Sequence, residues 1–251
     1  MKKNNIYIST VAPDAAQAAR EHGFGLEIAE YCTAWNMDEH FESTHASVSA
    51  KLQGVHRRVL HGPFNELFPC AIDPKVRELA AFRYRQALEL ADLYEAKKIV
   101  LHSGYYERMY YPQWFVSESV KFWREFMETA PEGFVICVEN VFEKTPELLC
   151  DIVRGVDHPR FRICLDIGHV NAYSDIPLDS WLSACAPYIS HFHVHNNDGS
   201  ADTHSSLFEG SMDMAEFFAR ADTLCPDATY TLELREAQPS CLWLSKYMSQ
   251  N

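Results

Sequence analysis

Short strand-like runs alternate with helix-like stretches along this chain at a spacing of roughly 30 residues, the size of one strand–helix step. The strand-like runs are Ile6 to Ser9, Leu26 to Cys32, Val59 to Phe64, Lys98 to Gly104, Phe134 to Val141, Phe161 to Asp166, Ser190 to His195 and Thr229 to Glu236. Between the early runs lie Ala12 to His22, stopped by Gly23, and Phe41 to Leu52, closed by Gly54. A long helix is expected from Asp73, a capping residue before Pro74, to about Ala96. Pro112 to Thr129 carries an amphipathic spacing through Trp114, Val120, Trp123 and Phe126. Further helices are expected to open at Thr145-Pro146, to cover Leu178 to Ala186 and Met212 to Ala221, and to follow Pro239 as a short tail. Eight such units in series predict an α/β fold, a single (β/α)8 TIM barrel over residues 1–251. An open doubly wound sheet is the competing arrangement, but no Gly-rich phosphate loop follows the first strand.

A chain of 251 residues with 47% hydrophobic content can bury one large core. Its formal charge of −13 argues against nonspecific nucleic-acid binding, since the basic pairs Arg57-Arg58 and Lys97-Lys98 are isolated. Nucleic acid is therefore not the favoured partner, although a local positive site can coexist with a negative body. The eight cysteines contain no C-x-x-C pair, and Cys137 and Cys164 sit in apolar runs as small hydrophobes. That usage suits a reducing cytosol. The segment after Lys2-Lys3 is too short and polar for a signal core, and no run reaches membrane-spanning length. A cytoplasmic protein without membrane contact is the expectation; the oligomeric state is not legible.

The ends of the apolar runs carry the chemistry. The third run ends in His61, the fourth in His102 and the fifth in Glu139. The sixth ends in Asp166, with His169 a short turn later; the seventh ends in His195, followed by Asp202 and His204; the eighth reaches Glu233. One strand-end histidine is more often a hydrogen-bonded structural residue, and a lone buried Glu more often pairs with Arg. In a barrel, however, strand C-termini share one mouth, so six consecutive endings of this kind form a ring of metal ligands. The D-x-x-H of Asp166 and His169 puts both on one cation, and the D-x-H of Asp202 and His204 does the same for alternate residues of an extended segment. His191, His193 and His195 share parity and point to one side of their strand. His195, nearest the strand end, is the expected ligand, and His193 is the likelier of the others to reach the site. Glu27 is a candidate to enter the pocket from the second strand, with an outward or paired role equally open. His22, His40, His45, His56 and His158 fall in helix or loop contexts and are expected to be solvated.

Three motifs then carry a resemblance: L-D-I-G-H (Leu165 to His169), H-x-N-D (His195 to Asp198) and D-x-H-x-S-L-x-E-G (Asp202 to Gly210). With them the chain resembles the xylose isomerase-like TIM barrels and, within these, the endonuclease IV group (AP endonuclease family 2), from the third strand to the eighth. That resemblance implies three zinc ions held by His61, His102, Glu139, Asp166, His169, His195, Asp202, His204 and Glu233. All nine positions hold the expected residue type. The chain departs from DNA-handling members in its first loop (Ser9 to Asp14), in Phe64 where they commonly place a tyrosine, and in Phe208, which interrupts the usual S-L-G-E-G.

The chemistry expected from this set is metal-assisted hydrolysis of a phosphoester or phosphodiester, with two or three divalent ions, zinc first and Mn²⁺ or Mg²⁺ as alternatives. Glu139 and Glu233 are the catalytic candidates, and Arg235, His193 and Glu27 the substrate-binding ones, on a small phosphorylated or sugar-like substrate. The alternative is a one-metal sugar or sugar-phosphate isomerase or epimerase, using Glu139 and Glu233 for proton transfer around Asp166 and His195. A non-catalytic metal-dependent binding protein is a third reading, for which so many ligands are excessive.

Overall fold

The computed structural model describes residues 1–250. Eight parallel strands close on themselves in sequence order: β1 Ile6–Ser9, β2 Gly25–Ile28, β3 Arg58–His61, β4 Lys98–His102, β5 Val135–Glu139, β6 Phe161–Asp166, β7 Ile189–Val194 and β8 Thr229–Leu232. The outer layer is α1 Ala15–His22, α2 Ala34–Met37, α3 Phe41–Lys51, α4 Pro74–Leu93, α5 Pro112–Thr129, α6 Glu147–Val156, α7 Ile167–Tyr173, α8 Leu178–Cys185, α9 Met214–Leu224 and α10 Gln238–Gln250. This is the (β/α)8 barrel that the alternating pattern predicts.

Strand alternation sorts the apolar residues into two cores. Outward-facing residues such as Leu26, Leu60, Leu101, Ile136, Val138, Leu165, Phe192 and Leu232 belong to one large cluster with the helices. Inside the barrel, Val59, Val100, Cys137 and Cys164 form a small separate cluster, with Tyr7 and Val135 packed on it. Below the mouth, the Lys98 ammonium donates to the Ser190 carbonyl (2.6 Å) and the Thr229 hydroxyl (2.5 Å). The interior is thus filled from the bottom, and polar groups accumulate toward the C-terminal ends of the strands.

Several elements end earlier than sequence periodicity suggests. The second strand stops at Ile28, and Glu30–Cys32 turns into a 3-10 segment in place of the expected extension to Cys32. The eighth strand stops at Leu232, so Glu233 lies just past its end, and the tail helix is 13 residues long instead of short. In both strands the extra apolar character belongs to loop residues buried at the mouth, such as Tyr31 and Leu234. The Asp73 side chain accepts from the Lys75 N–H (2.8 Å), as its capping position requires. A one-residue register shift between Ile163 and Cys164 sets His191 opposite Cys164 and His193 opposite Asp166. Without that shift the inward faces of β6 and β7 would not share ligands.

No helix among the described residues is long and apolar enough to cross a membrane. Among the histidines expected to be solvated, His40 and His56 are exposed. His22, His45 and His158 are half-buried, His22 against the Ser245 hydroxyl (2.9 Å) and His45 against the Tyr94 hydroxyl (2.7 Å). His22 and His45 face neighbouring elements from their helices, and His158 lies in the loop before β6, none of which local sequence context reveals.

Trp123 anchors the outer layer. It is fully buried, stacks on Tyr84 of α4 (5.4 Å between centroids) and meets Phe161 of β6 (5.1 Å). Trp123→Ala should cost about 3–5 kcal/mol, read as a lower urea midpoint with little change in the slope.

Candidate metal centre

Ten side chains converge at the C-terminal mouth in neighbouring groups. The first surrounds Glu139: the Nε2 atoms of His61 and His102 lie 3.4 and 3.5 Å from its Oε2. The second lies around Asp202: His169 Nε2 and His204 Nε2 approach its Oδ2 to 3.3 and 3.2 Å, and His195 Nε2 approaches its Oδ1 to 3.2 Å. Between them sits Asp166, 3.4 Å from His195 Nε2. Glu233 closes the ring, 3.6 Å from His193 Nδ1. The donor atoms of His61, His102 and Glu139, those of His195, Asp202 and His204, and those of Glu139, Asp166 and His193 each lie within 4.8 Å of one another.

Local structure aims these groups. Asp166 ends β6 and caps α7, its carboxylate accepting from the His169 N–H (2.8 Å), so both residues of the D-x-x-H spacing face one point. Gly168 between them is needed for close approach: a Cβ there would sit 1.9 Å from the His195 ring. The loop after β7 turns back through an antiparallel bridge between Asn196 and Ser205, and His204 takes a left-handed backbone (φ 48°). A non-glycine residue is held there only where its surroundings over-determine it, as at functional sites.

Donor and acceptor accounting shows what the mouth lacks. Nδ1 of His61 donates to the Gly62 carbonyl (3.0 Å), that of His169 to the Asn140 carbonyl (2.8 Å) and that of His204 to the Glu233 carbonyl (3.0 Å). With Nδ1 carrying the hydrogen, a neutral imidazole presents a bare Nε2 lone pair. Each of those Nε2 atoms faces a carboxylate oxygen, another lone pair. Buried atoms left without a hydrogen-bond partner include Glu139 Oε2, Asp166 Oδ2, His193 Nδ1, His195 Nε2 and Asp202 Oδ1. Only a positive charge between such atoms relieves the repulsion, and a divalent cation suits this set of imidazoles and carboxylates.

Without a metal, protons partly fill the role. Burial alone would lower the His169 imidazole, but Asp166, Asp202 and Glu139 outweigh it and push it up to about 10. His204, opposed by burial in the same way, is raised to about 9 by Asp202, Glu233 and Asp166. Glu139 and Asp202 are held below the usual carboxylate range against their own burial, mainly by neighbouring histidines. His102 goes the other way: burial drives it down to about 3 despite Glu139. Its ring lies flat against Phe64 (4.1 Å, 9°), which shields one face.

The remaining sequence candidates fall elsewhere around the ring. Glu27 is fully buried, and its carboxylate is taken up by His191 (3.0 Å), His193 (2.9 Å) and the Thr231 hydroxyl. Of the two roles left open for it, pocket entry or pairing, these contacts are the pairing: Glu27 sits in β2 and braces His193. His193 itself reaches the centre, with Nδ1 3.3 Å from Glu139. Strand parity was the signal for it, although His195 was preferred for its place at the strand end. Arg235 is exposed beyond β8, and its backbone N–H donates to the His204 carbonyl (3.3 Å).

Sequence reasoning missed Asn140. Its side chain brackets the Asp166 backbone, donating to the carbonyl (3.0 Å) and accepting from the N–H (2.8 Å), while its own carbonyl orients His169. Its place directly after Glu139 in V-E-N was the available signal.

The chain is a closed eight-stranded TIM barrel whose C-terminal mouth carries a ring of imidazoles and carboxylates able to hold a metal ion. The chain belongs to the xylose isomerase-like TIM barrel family, whose model matches residues 13–246. An uncharacterised protein of Methanocaldococcus jannaschii is 29% identical over 203 residues, which span 76% of this chain and 69% of the relative. Among solved structures, a D-tagatose 3-epimerase-like protein superposes with a TM-score of 0.78 at 24% identity, covering 98% of this chain and 97% of the other. A Thermus thermophilus protein soaked with zinc chloride gives 0.76 at 22%, covering 98% and 99%. A D-psicose 3-epimerase from Clostridium cellulolyticum, solved with D-tagatose, gives 0.72 at 18%, covering 92% and 84%. At these identities the structural likenesses show the fold.

Two outcomes follow from this geometry. With His169 pushed up to about 10 and His204 to about 9, both rings are expected to carry a proton at pH 7 and to release it on coordination. Zinc titration calorimetry in buffers of different ionisation enthalpy should therefore show proton release at pH 7. The apparent affinity should strengthen as pH rises toward about 9 to 10 and level off above it. Gly168→Ala should displace the His195 ring and weaken zinc binding by about 10–100-fold, measured by competition with a chromogenic chelator.

Proposed function

We propose that this chain is a divalent-metal-dependent enzyme that isomerises or epimerises a small sugar-like substrate by moving a proton between Glu139 and Glu233. The observation that carries this reading is the placement of the two carboxylates. Glu139 ends β5 and Glu233 follows β8, so they come from separate arcs of the ring, and both reach one point, His193 Nδ1, at 3.3 and 3.6 Å. The fold-level likeness to the epimerases supports it and moves the reaction away from the phosphoester hydrolysis expected from sequence.

Asp166, His195, Glu139 and Glu233 would hold the ion, with His193 beside them. The fit rests on the orphaned oxygens and nitrogens of Glu139, Asp166, His193 and His195. A divalent ion bound there polarises adjacent sugar oxygens and so acidifies the C–H between or beside them. Glu139, ionised and buried, takes the proton on one face of that carbon. Glu233, the more open of the two and entering the step as the acid, delivers its own proton to the other face. The pair ends with Glu139 protonated and Glu233 ionised, and proton exchange with solvent resets it.

One observation favours a second reading. His61 and His102 around Glu139, and His169 and His204 around Asp202, are two further donor groups that one-metal proton transfer does not require. They support a multinuclear zinc centre and, with it, hydrolysis of a phosphoester in which clustered ions supply hydroxide and neutralise phosphate oxygens.

Elemental analysis of the purified protein, with assays on ketoses, ketose phosphates, simple phosphodiesters and abasic DNA, separates the two. Under the proposed reading, Asp202→Ala retains ketose turnover within about tenfold, since Asp202 lies outside the proton-transfer pair. Under the hydrolytic reading it removes an ion, and phosphodiester cleavage falls by about 100-fold or more. Wild-type protein that cleaves phosphodiesters and leaves every ketose untouched would sink the isomerase reading.

A further inference from the structure

Beside the mouth, the loops after β4 and β5 and the end of α7 border an open cleft of about 660 Å³ lined by Tyr106, Glu107, Arg108, Met109, Phe142, Lys144 and Tyr173. A run of rings joins it to the centre. Tyr106 meets Phe142 edge-on (5.7 Å between centroids), Phe142 meets Tyr173 (5.1 Å), and Tyr173 lies 6.1 Å from the His169 ring. The cradle is tied together. The Lys144 ammonium donates to the Tyr173 carbonyl (2.7 Å), the Ser174 hydroxyl donates to the Lys144 carbonyl (2.8 Å), and the Asp175 N–H donates to that same carbonyl (3.1 Å).

Charge singles this cavity out. The chain carries −13, yet two cations line this wall, and among the described residues neither Arg108 nor Lys144 pairs with a carboxylate. Glu107 is the one acidic residue of the lining, which leaves a local excess of positive charge. Arg108 also holds a left-handed backbone (φ 69°), a conformation unfavourable for a non-glycine residue. Aromatic faces suit the C–H surface of a sugar, and a guanidinium with an ammonium suits a phosphate dianion.

We propose that this cavity is a phosphate subsite: the substrate lies with its reacting carbon at the metal mouth and its phosphomonoester end between Arg108 and Lys144. The proposal rests on the sugar-directed reading above and adds the phosphorylated class of substrate. Phosphate oxygens accept from Arg108 and Lys144, while Phe142 and Tyr173 pack against the intervening carbons. The metal site is then left to the sugar oxygens.

Calorimetric binding of a ketose and of the same ketose carrying a terminal phosphate, to zinc-loaded wild type, R108M/K144M and K144R, tests this independently of turnover. The phosphorylated compound should bind the wild type about tenfold more tightly or better. That preference should shrink to about threefold or less in R108M/K144M, with zinc content and affinity for the plain ketose unchanged, and should persist in K144R. A preference that survives in R108M/K144M places the phosphate on the metals and overturns the proposal, as does equal binding of the two ketoses or no binding of either. A preference that vanishes in R108M/K144M, in a wild type that turns over neither compound, keeps the subsite and rejects the isomerase reading. Turnover of both ketoses without preference does the reverse.

Discussion

Lone pairs facing lone pairs at the barrel mouth are the constraint that the rest of this structure accommodates. Glu139 and Asp202 point oxygens at the Nε2 atoms of His61, His169 and His204, which as neutral rings, with Nδ1–H given to backbone carbonyls, would meet them with bare lone pairs. In a buried setting such pairs repel unless a cation lies between them. The fold can hold them because the strands are locked by closure and by a large apolar shell against the helices. Binding of a divalent ion would recover the free energy that assembling the ring costs, which ties metal affinity to stability.

The layering of the barrel interior follows from that constraint. Small residues (Val59, Val100, Cys137 and Cys164) leave room in the middle, and Lys98 is satisfied by Ser190 and Thr229 near the bottom. Above them, Glu27 binds His191 and His193 and so fixes the ring of a group that also touches Glu139. Buried ionisable groups survive here because each has a partner of opposite sign or a hydrogen-bond donor. At the mouth Glu139, Asp166, His193 and His195 each keep a buried atom without a partner, and there the failure points to chemistry.

Much of this was legible without coordinates, and the misses have physical causes. Alternation gave eight strands, and the abrupt endings in His61, His102, Glu139, Asp166 and His195 marked the mouth. Boundaries were less legible: Tyr31 and Leu234 are buried loop residues, so apolar character ran past the ends of β2 and β8. Asn140 was hidden because its work is to orient the backbone of a residue 26 positions away. The roles of Phe64 and Gly168 depend on which rings reach them, His102 for one and His195 for the other.

The amino-acid sequence by itself determined the fold class and the chemical type of the centre, because strand periodicity and ligand chemistry are local properties of short segments. Only the tertiary structure decided how the ligands are grouped and that His193 joins His195 at the centre. It also decided that Glu27 pairs with His191 and His193 and that Arg108 and Lys144 line one cavity. Those outcomes depend on barrel closure, on the register of β6 against β7 and on the depth at which each strand presents its side chains. None of the three is encoded in any single stretch of chain, because each is a relation between strands far apart in sequence.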